Sequence, residues 1–370
     1  MRIGHRRISI DGPPYIIAEI GVNHDGDPTR ALELVDAAAW AGADAVKVQH
    51  FEADRLMSRS AKLAAYQRCA GETDPIAMLR RLELAPDALA GVVERAHARG
   101  VHAIASVFSV ELVGAAAGLP WDAFKSASPD LINRPLLEAL AACGRPLIVS
   151  TGASTIGEVE RAVGWLDSAA RKGRLALLQC VSAYPTPMDQ AGFGRIASLR
   201  SIFHGPVGYS DHTESEQSAA MLARAGVRLF EKHLTHDRAA SGPDHGASLE
   251  PGAFARYAAA ARRAAAETGG TPEPLGGEGE GKRVLEIERD VRAAGRQSLV
   301  ATRDLSIGDV LREGDMTIKR PGTGIPPHER DSVIGATVRA EVGADCVIPP
   351  EAVGHSAGAP VCDGARAGAA

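Results

Sequence analysis

His212 and His233 close the runs PVGYSDH and RLFEKHL, and each run is short and apolar-rich, as buried strands are. On neighbouring strands about 4.8 Å apart, two imidazoles at matching heights can hold one divalent cation. A lone strand-end histidine is usually a hydrogen-bonded structural residue; it is the pair that points to a metal. Two histidines leave coordination positions open, which suits Mn²⁺, Fe²⁺, Co²⁺ or Zn²⁺ used as a Lewis acid. His236 and His245, on the loop beyond, are expected at the rim or behind the ligands. Lys47 and Lys125 lie inside apolar runs, AVKVQ and AFKSAS, where an ammonium without an anion would be costly to bury. Lysine supplies point charge to a phosphate or carboxylate, while serine hydroxyls and backbone N–H groups supply direction. Lys232, beside His233, is expected on the anion side.

The elements that must position these groups are short apolar runs alternating with Ala/Leu-rich helical stretches. The runs are 16–21, 45–49, 102–108, 123–128, 146–152, 175–181, 206–212 and 228–234. Each has polar residues at its C-terminal end. In order they are Glu19, Asn23 and His24; Lys47 and Gln49; Ser106 and Ser109; Lys125, Ser126 and Ser128; Ser150 and Thr151; Gln179, Ser182 and Tyr184; Ser210, Asp211 and His212; and Glu231, Lys232 and His233. Eight β–α units predict a (β/α)8 TIM barrel, an α/β fold whose strand C-termini share one mouth. An open doubly wound sheet is the alternative, but no GxGxxG follows the first run. Helical stretches tend to stop at Gly. Ser154 or Thr155 in ASTIGEVE offers an N-cap with acidic residues behind it.

Residues 1–266 are assigned to the barrel, with 50–85 long enough to be an insertion over its mouth. The stretch 267–295 opens with TGGTPEPLGGEGEGKR, Gly-, Pro- and Glu-rich, and reads as a linker or loose lid. Residues 296–352 show short alternating strands with turn signals (SIGD, EGD, RPGTG) and predict a small β-rich domain. The Gly/Ala-rich end, 353–370, is expected to be a flexible tail.

Composition narrows the class. The chain has 370 residues, 45% hydrophobic and 24% charged, with a formal net charge of −5. No basic block favours nucleic acid, and no run of about 18 apolar residues predicts a membrane span. The basic start, MRIGHRRISIDGPP, lacks the apolar stretch of a signal peptide. Five scattered cysteines without CxxC argue for a reducing cytoplasm and against a thiolate zinc site.

Eight segments in order carry a family resemblance: AEIGVNHDGD (18–27), GADAVKVQ (42–49), LIVSTGAS (147–154), QCVSAYPTP (179–187), GYSDHT (208–213), EKHLT (231–235), GPDHGASLEP (242–251) and KRPGTGI (319–325). Together they resemble the sialic acid (N-acetylneuraminate) synthase family, which includes legionaminate and pseudaminate synthases and spore-coat polysaccharide homologues. The resemblance runs from about Tyr15 to Pro349. It implies a TIM barrel followed by an antifreeze-like SAF domain, and a homodimer whose small domain caps the partner's barrel. It implies condensation of phosphoenolpyruvate with an open-chain N-acyl hexosamine, ManNAc-like or diacetamido, giving a nonulosonic acid and phosphate by C–O cleavage. Carried over by position, His212 and His233 are the metal ligands, with Mn²⁺ expected and Co²⁺, Mg²⁺ or Zn²⁺ as alternatives. Lys47, Ser106, Lys125, Ser128, Ser150, Ser182 and Ser210 would contact phosphoenolpyruvate. Tyr184 joins them in the substrate pocket. Glu19 and Asp244 would meet the sugar or the attacking water, and Arg320 would arrive from the partner's small domain. Lys47 and Lys125 would also help expel phosphate. Three positions depart from the family. Ser106 replaces the usual Thr, Ser182 stands where sialate enzymes often carry Asn, and Asp130 stands where the catalytic Glu is expected.

Rival readings stay open. One is a related phosphoenolpyruvate–aldehyde synthase of the 3-deoxy-heptulosonate kind, acting on a non-sialic substrate. A second is an aldolase, which would need a Schiff-base lysine and no metal. A third is a sugar- or phosphoenolpyruvate-binding homologue with weakened catalysis.

Overall fold

The computed structural model describes residues 1–268, 272–276 and 281–354. A two-stranded hairpin, β1 (Arg2–Ile3) and β2 (Arg6–Arg7), precedes eight parallel strands. These are β3 (Tyr15–Glu19), β4 (Ala45–His50), β5 (His102–Val107), β6 (Ala123–Ser126), β7 (Leu147–Ser150), β8 (Leu175–Gln179), β9 (Val207–Asp211) and β10 (Leu229–His233). They pair in sequence order and β10 closes on β3, so the barrel reading holds and the open sheet does not. All eight strands fall on the runs read from the sequence, with ends that differ by at most two residues; β3 starts and β4 ends one residue outside its run.

The two-residue period of a strand separates what each side chain meets. Ile17, Ala45, Ile104, Ala123, Ile148, Ala176 and Leu229 fill the lumen. Their neighbours Ile16, Val46, Ala103, Phe124, Val149, Leu177 and Phe230 pack outward on the helices. Two residues beyond the lumen layer, the inward positions become Glu19, Lys47, Ser106, Lys125, Ser150 and Glu231. The register sets several of these groups side by side, with Glu19 opposite Lys47 and His233, Ser106 opposite Lys125, and Ser210 opposite Glu231. Thr155 is the N-cap of helix Ile156–Trp165 and forms a capping box with Glu158.

Residues 50–85 do form an insertion over the mouth. It holds short helices Ala53–Leu56, Ala65–Cys69 and Pro75–Leu82; the first and last, with the loop residues beside them, build a core of Phe51, Leu56, Met57, Leu63, Met78 and Leu82 against Val22 and Phe108. The C-terminal module pairs β11 (Ser298–Ala301) with β12 (Met316–Lys319) around Leu299, Leu305, Leu311, Val338 and Ile348. It is seated on this insertion: Arg320 N–H donates to Leu56 O (2.8 Å), and Ser58 Oγ donates to Arg320 O (2.8 Å).

The stretch read as a linker splits. Residues 269–271 and 277–280 lie outside the described residues, as do 355–370 of the expected tail. From 282 onward the chain is a strap fixed by buried charges, and the loose-lid reading fails there. Lys282 Nζ donates to Gln179 Oε1 (2.8 Å). Arg292 forks onto Glu158 (2.7 and 2.9 Å), and Asn133 Nδ2 donates to Gln297 Oε1 (2.6 Å). Gly/Pro/Glu composition near 270–281 hid this, because the anchoring residues lie just after it.

Candidate active site

One cavity at the C-terminal ends of the strands is lined by Glu19, Lys47, Ser106, Lys125, Ser128, Ser182, Tyr184, His212, His233, Asp244 and Arg320. Of the residues singled out from the sequence, Ser150, Ser210 and Asp130 are buried near it without lining it. Its roof comes from the insertion, through Met57, Lys62, Tyr66 and Gln67, which the sequence reading did not place.

The floor is a compact charge cluster. Glu231 accepts from Lys125 Nζ (3.1 Å) and Ser210 Oγ (3.0 Å), with Lys47 Nζ 3.6 Å away. Lys47 also contacts Glu19 and donates to Ser106 Oγ (3.1 Å). Burial acts to raise the Glu231 carboxyl, but Lys125 and Lys47 outweigh it and hold it at about 2. Burial pushes the Lys47 ammonium down to about 7. An arriving anion would restore its charge. Glu231 had been noted only as a polar strand end. The signal that it belongs to the site is its two-residue spacing from His233, matched by Ser210 on β9 and His212 just after it.

The same alternation overturns the reading of Lys232. It is turned away from the mouth, paired with Asp211 Oδ1 (3.4 Å), donating to Thr213 O, and lying over the Tyr257 ring (5.5 Å). On a strand, the residue between two inward ones must face outward.

His212 and His233 sit side by side, ring centroids 5.4 Å apart. His212 Nδ1 donates to Val181 O (2.7 Å), which fixes the tautomer and leaves the Nε2 lone pair directed elsewhere. Burial lowers His212 to about 4, and burial together with His212 lowers His233 well below the usual range. Both rings are therefore neutral, the form that ligates metals, and His233 Nδ1 is buried without a hydrogen-bond partner. Asp244 Oδ2 lies 3.6 Å from that nitrogen. Among the described residues no third His, Cys, Asp or Glu completes a protein-only metal cage. The donor set fits a divalent ion that takes its other ligands from substrate and water.

Burial raises Asp244 to about 7, while Lys47 and a backbone N–H pull the other way. Asp130 is fully buried with neither oxygen hydrogen-bonded. Burial raises it to about 7 against the pull of Arg320, Arg296 and Lys125. The Arg320 guanidinium stacks over Phe108 at 5.6 Å. Tyr184 packs against His212 (4.3 Å between centroids) and against Tyr66 (5.0 Å). His245 is buried, bonded to Thr235 Oγ1 (2.6 Å) and Asp25 Oδ1 (3.0 Å), so it shapes the loop carrying Asp244.

A closed (β/α)8 barrel with buried lysines, carboxylates and a histidine pair gathered at its mouth defines a class: a TIM barrel with one charged site at the C-terminal ends of its strands. Comparison with known proteins makes this specific. Residues 34–272 match the model of the NeuB family and residues 296–353 that of the SAF domain, and the chain belongs to the NeuB family. It is an enzyme of the transferase class. It is 33% identical over 323 residues to N,N'-diacetyllegionaminic acid synthase of Campylobacter jejuni, covering 86% of this chain and 94% of that protein. The crystal structure of the Bacillus subtilis spore coat polysaccharide biosynthesis protein spsE matches with TM-score 0.80 and 27% identity, covering 95% of this chain and 98% of that one. The N-acetylneuraminic acid (sialic acid) synthetase of Leptospira borgpetersenii, crystallised with citrate, matches with TM-score 0.66 and 30% identity over 76% of this chain and 94% of that one.

Proposed function

We propose that this enzyme condenses phosphoenolpyruvate with an open-chain N-acyl amino sugar, ManNAc-like or diacetamido, to give a nonulosonic acid and phosphate. The observation that carries the reading is the pairing of Lys47 and Lys125 on Glu231 directly beside the His212/His233 pair. Family membership supports the reaction class, and relatives named for legionaminic and N-acetylneuraminic acids support an amino-sugar acceptor.

Charge balance supports a cation at the histidines. Lys47 and Lys125 are already matched by Glu19 and Glu231. A phosphoenolpyruvate brings further negative charge that Arg320 alone does not offset. A divalent ion held by His212 and His233, Mn²⁺ first among Co²⁺, Mg²⁺ and Zn²⁺, would polarise the aldehyde oxygen of the acceptor.

The protein's own groups do the rest. Lys47, Lys125, Ser106, Ser128 and Ser182 hold the phosphate and carboxylate and set C3 toward the aldehyde carbon. Ser210 and Ser150 support this cradle from behind. Asp244, Tyr184 and Arg320 orient the sugar. As the new C–C bond forms, cationic character develops at C2. Glu19 orients the water that adds there, and Asp130 is the buried acid available for proton transfer behind the cradle. Lys47 and Lys125 then stabilise phosphate as the C–O bond breaks. A homodimer with exchanged small domains is part of the same proposal.

The test is phosphate release from phosphoenolpyruvate with a panel of 2-acetamido and 2,4-diacetamido hexoses. At least one sugar should support turnover that EDTA abolishes and Mn²⁺ or Co²⁺ restores. No release with any sugar overturns the reaction, and undiminished release after metal stripping overturns the two-histidine site.

A further inference from the structure

The opposite end of the barrel holds a second cavity, ≈ 450 Å³, between the segment after the N-terminal hairpin and the starts of β9 and β10. Its charged side chains are all arginines, Arg7, Arg200 and Arg228, beside His204 and Ser9, with no carboxylate among the lining residues. On a chain of net charge −5 this is a local reversal of sign. Asp11, whose field reaches Arg228, lies outside the lining.

Arg228 is the built-in part. It is only 7% exposed, its Nη1 donates to Ala223 O (2.6 Å) and Val227 O (2.9 Å), and its Nε is buried without an acceptor. Two backbone carbonyls therefore hold the guanidinium in place through Nη1, and Nη2 is outside these bonds. Arg200 reaches the same cavity while donating to Ala225 O (3.2 Å). Arg7 is exposed and has no ion-pair partner among the described residues. The remaining wall is apolar, from Ile8, Phe203, Pro206 and Leu229.

We infer that this cavity is a binding site for an organic phosphate, its phosphate on the arginines and its body on the apolar wall. Guanidinium forks match phosphate oxygens in pairs, and such charge-assisted bonds are about twice as strong as neutral ones. The size suits a ligand of nucleotide or sugar-phosphate dimensions. Position gives the site a consequence. Val207 and Leu229 in its wall begin β9, which runs up to His212, and β10, which ends at His233. A ligand there would brace the strands that carry the histidine pair, from the far side of the barrel.

The experiment is calorimetric titration of the full chain with uridine 5′-monophosphate and glucose 6-phosphate, with uridine as the phosphate-free control. At least one phosphate should bind with Kd below about 1 mM, and uridine should not. Arg7→Met, at an exposed position that should tolerate the change, should weaken binding at least about tenfold. Arg228→Lys keeps the charge and loses the fork, and should weaken it similarly. Lys125→Met, at the mouth, should leave it unchanged. Absence of binding by both phosphates, equal binding of uridine, wild-type affinity in Arg7→Met, or a loss confined to Lys125→Met each overturns the site.

Discussion

At the scale of single residues, the mouth contains two carboxyls that burial raises to about 7, and they invite different tests. Asp244 faces the cavity beside His233, where sugar hydroxyls need an acceptor. Asn offers a weaker and partly donating group. Asp244→Asn should raise the sugar KM or lower kcat at least tenfold, about 1.4 kcal/mol, with the phosphoenolpyruvate KM nearly unchanged. Equal losses for both substrates would assign the residue to loop ordering instead. Asp130 is read through stability. Its folded pKa lies above the unfolded one, so the folded state holds an extra proton and stability falls as pH rises from about 4 to about 7, then levels. Asp130→Asn removes that term. The Tm of the variant relative to wild type, measured without substrate, should climb across this window; a constant difference from pH 4 to 8 would show that the carboxyl ionises freely.

At the scale of elements, the strands were legible because their chemistry repeats every two residues. Ser210 and His212, like Glu231 and His233, point inward, and Asp211 and Lys232 point out to meet each other beneath helix Pro251–Glu267. Reading Lys232 by its neighbour in sequence, rather than by the face it occupies, misplaced it. The strap from 282 to 297 was not legible for a different reason. Its bonds to Gln179, Glu158 and Asn133 span more than a hundred residues, and no local pattern encodes such partners. The Lys232–Asp211 pair is fully buried, so removing one partner strands a charge. Lys232→Met should therefore destabilise the protein by about 3 kcal/mol in denaturant unfolding. At a temperature where it remains folded, its KM for phosphoenolpyruvate should stay close to wild type. A raised KM with unchanged stability would return Lys232 to the anion site.

At the scale of the whole molecule, the issue is which barrel each SAF module serves. The barrel, its insertion and the module were readable from composition and motifs; Arg320 was expected from a partner's module, whereas in the described chain the same chain's Arg320 lines the mouth. The module's partner surface was not readable, because backbone contacts such as Arg320 N–H to Leu56 O leave no trace in side-chain type. In the chain described, the module lies on its own barrel; the same contacts made between two chains would give an exchanged dimer without any new interface chemistry. Complementation separates the two. A His233→Ala chain has a damaged barrel and an intact module, and an Arg320→Ala chain has the reverse. In an exchanged heterodimer, one mouth collects both lesions and the other neither. Equal mixing makes about half the dimers mixed, each with one sound site of two, so activity should return to about a quarter of wild type after subunit exchange. If every module serves its own barrel, each mouth keeps one lesion and the mixture never exceeds the average of its parents. That result would assign Arg320 to the same chain's site and end the exchanged-dimer proposal, while leaving the chemistry of the mouth intact.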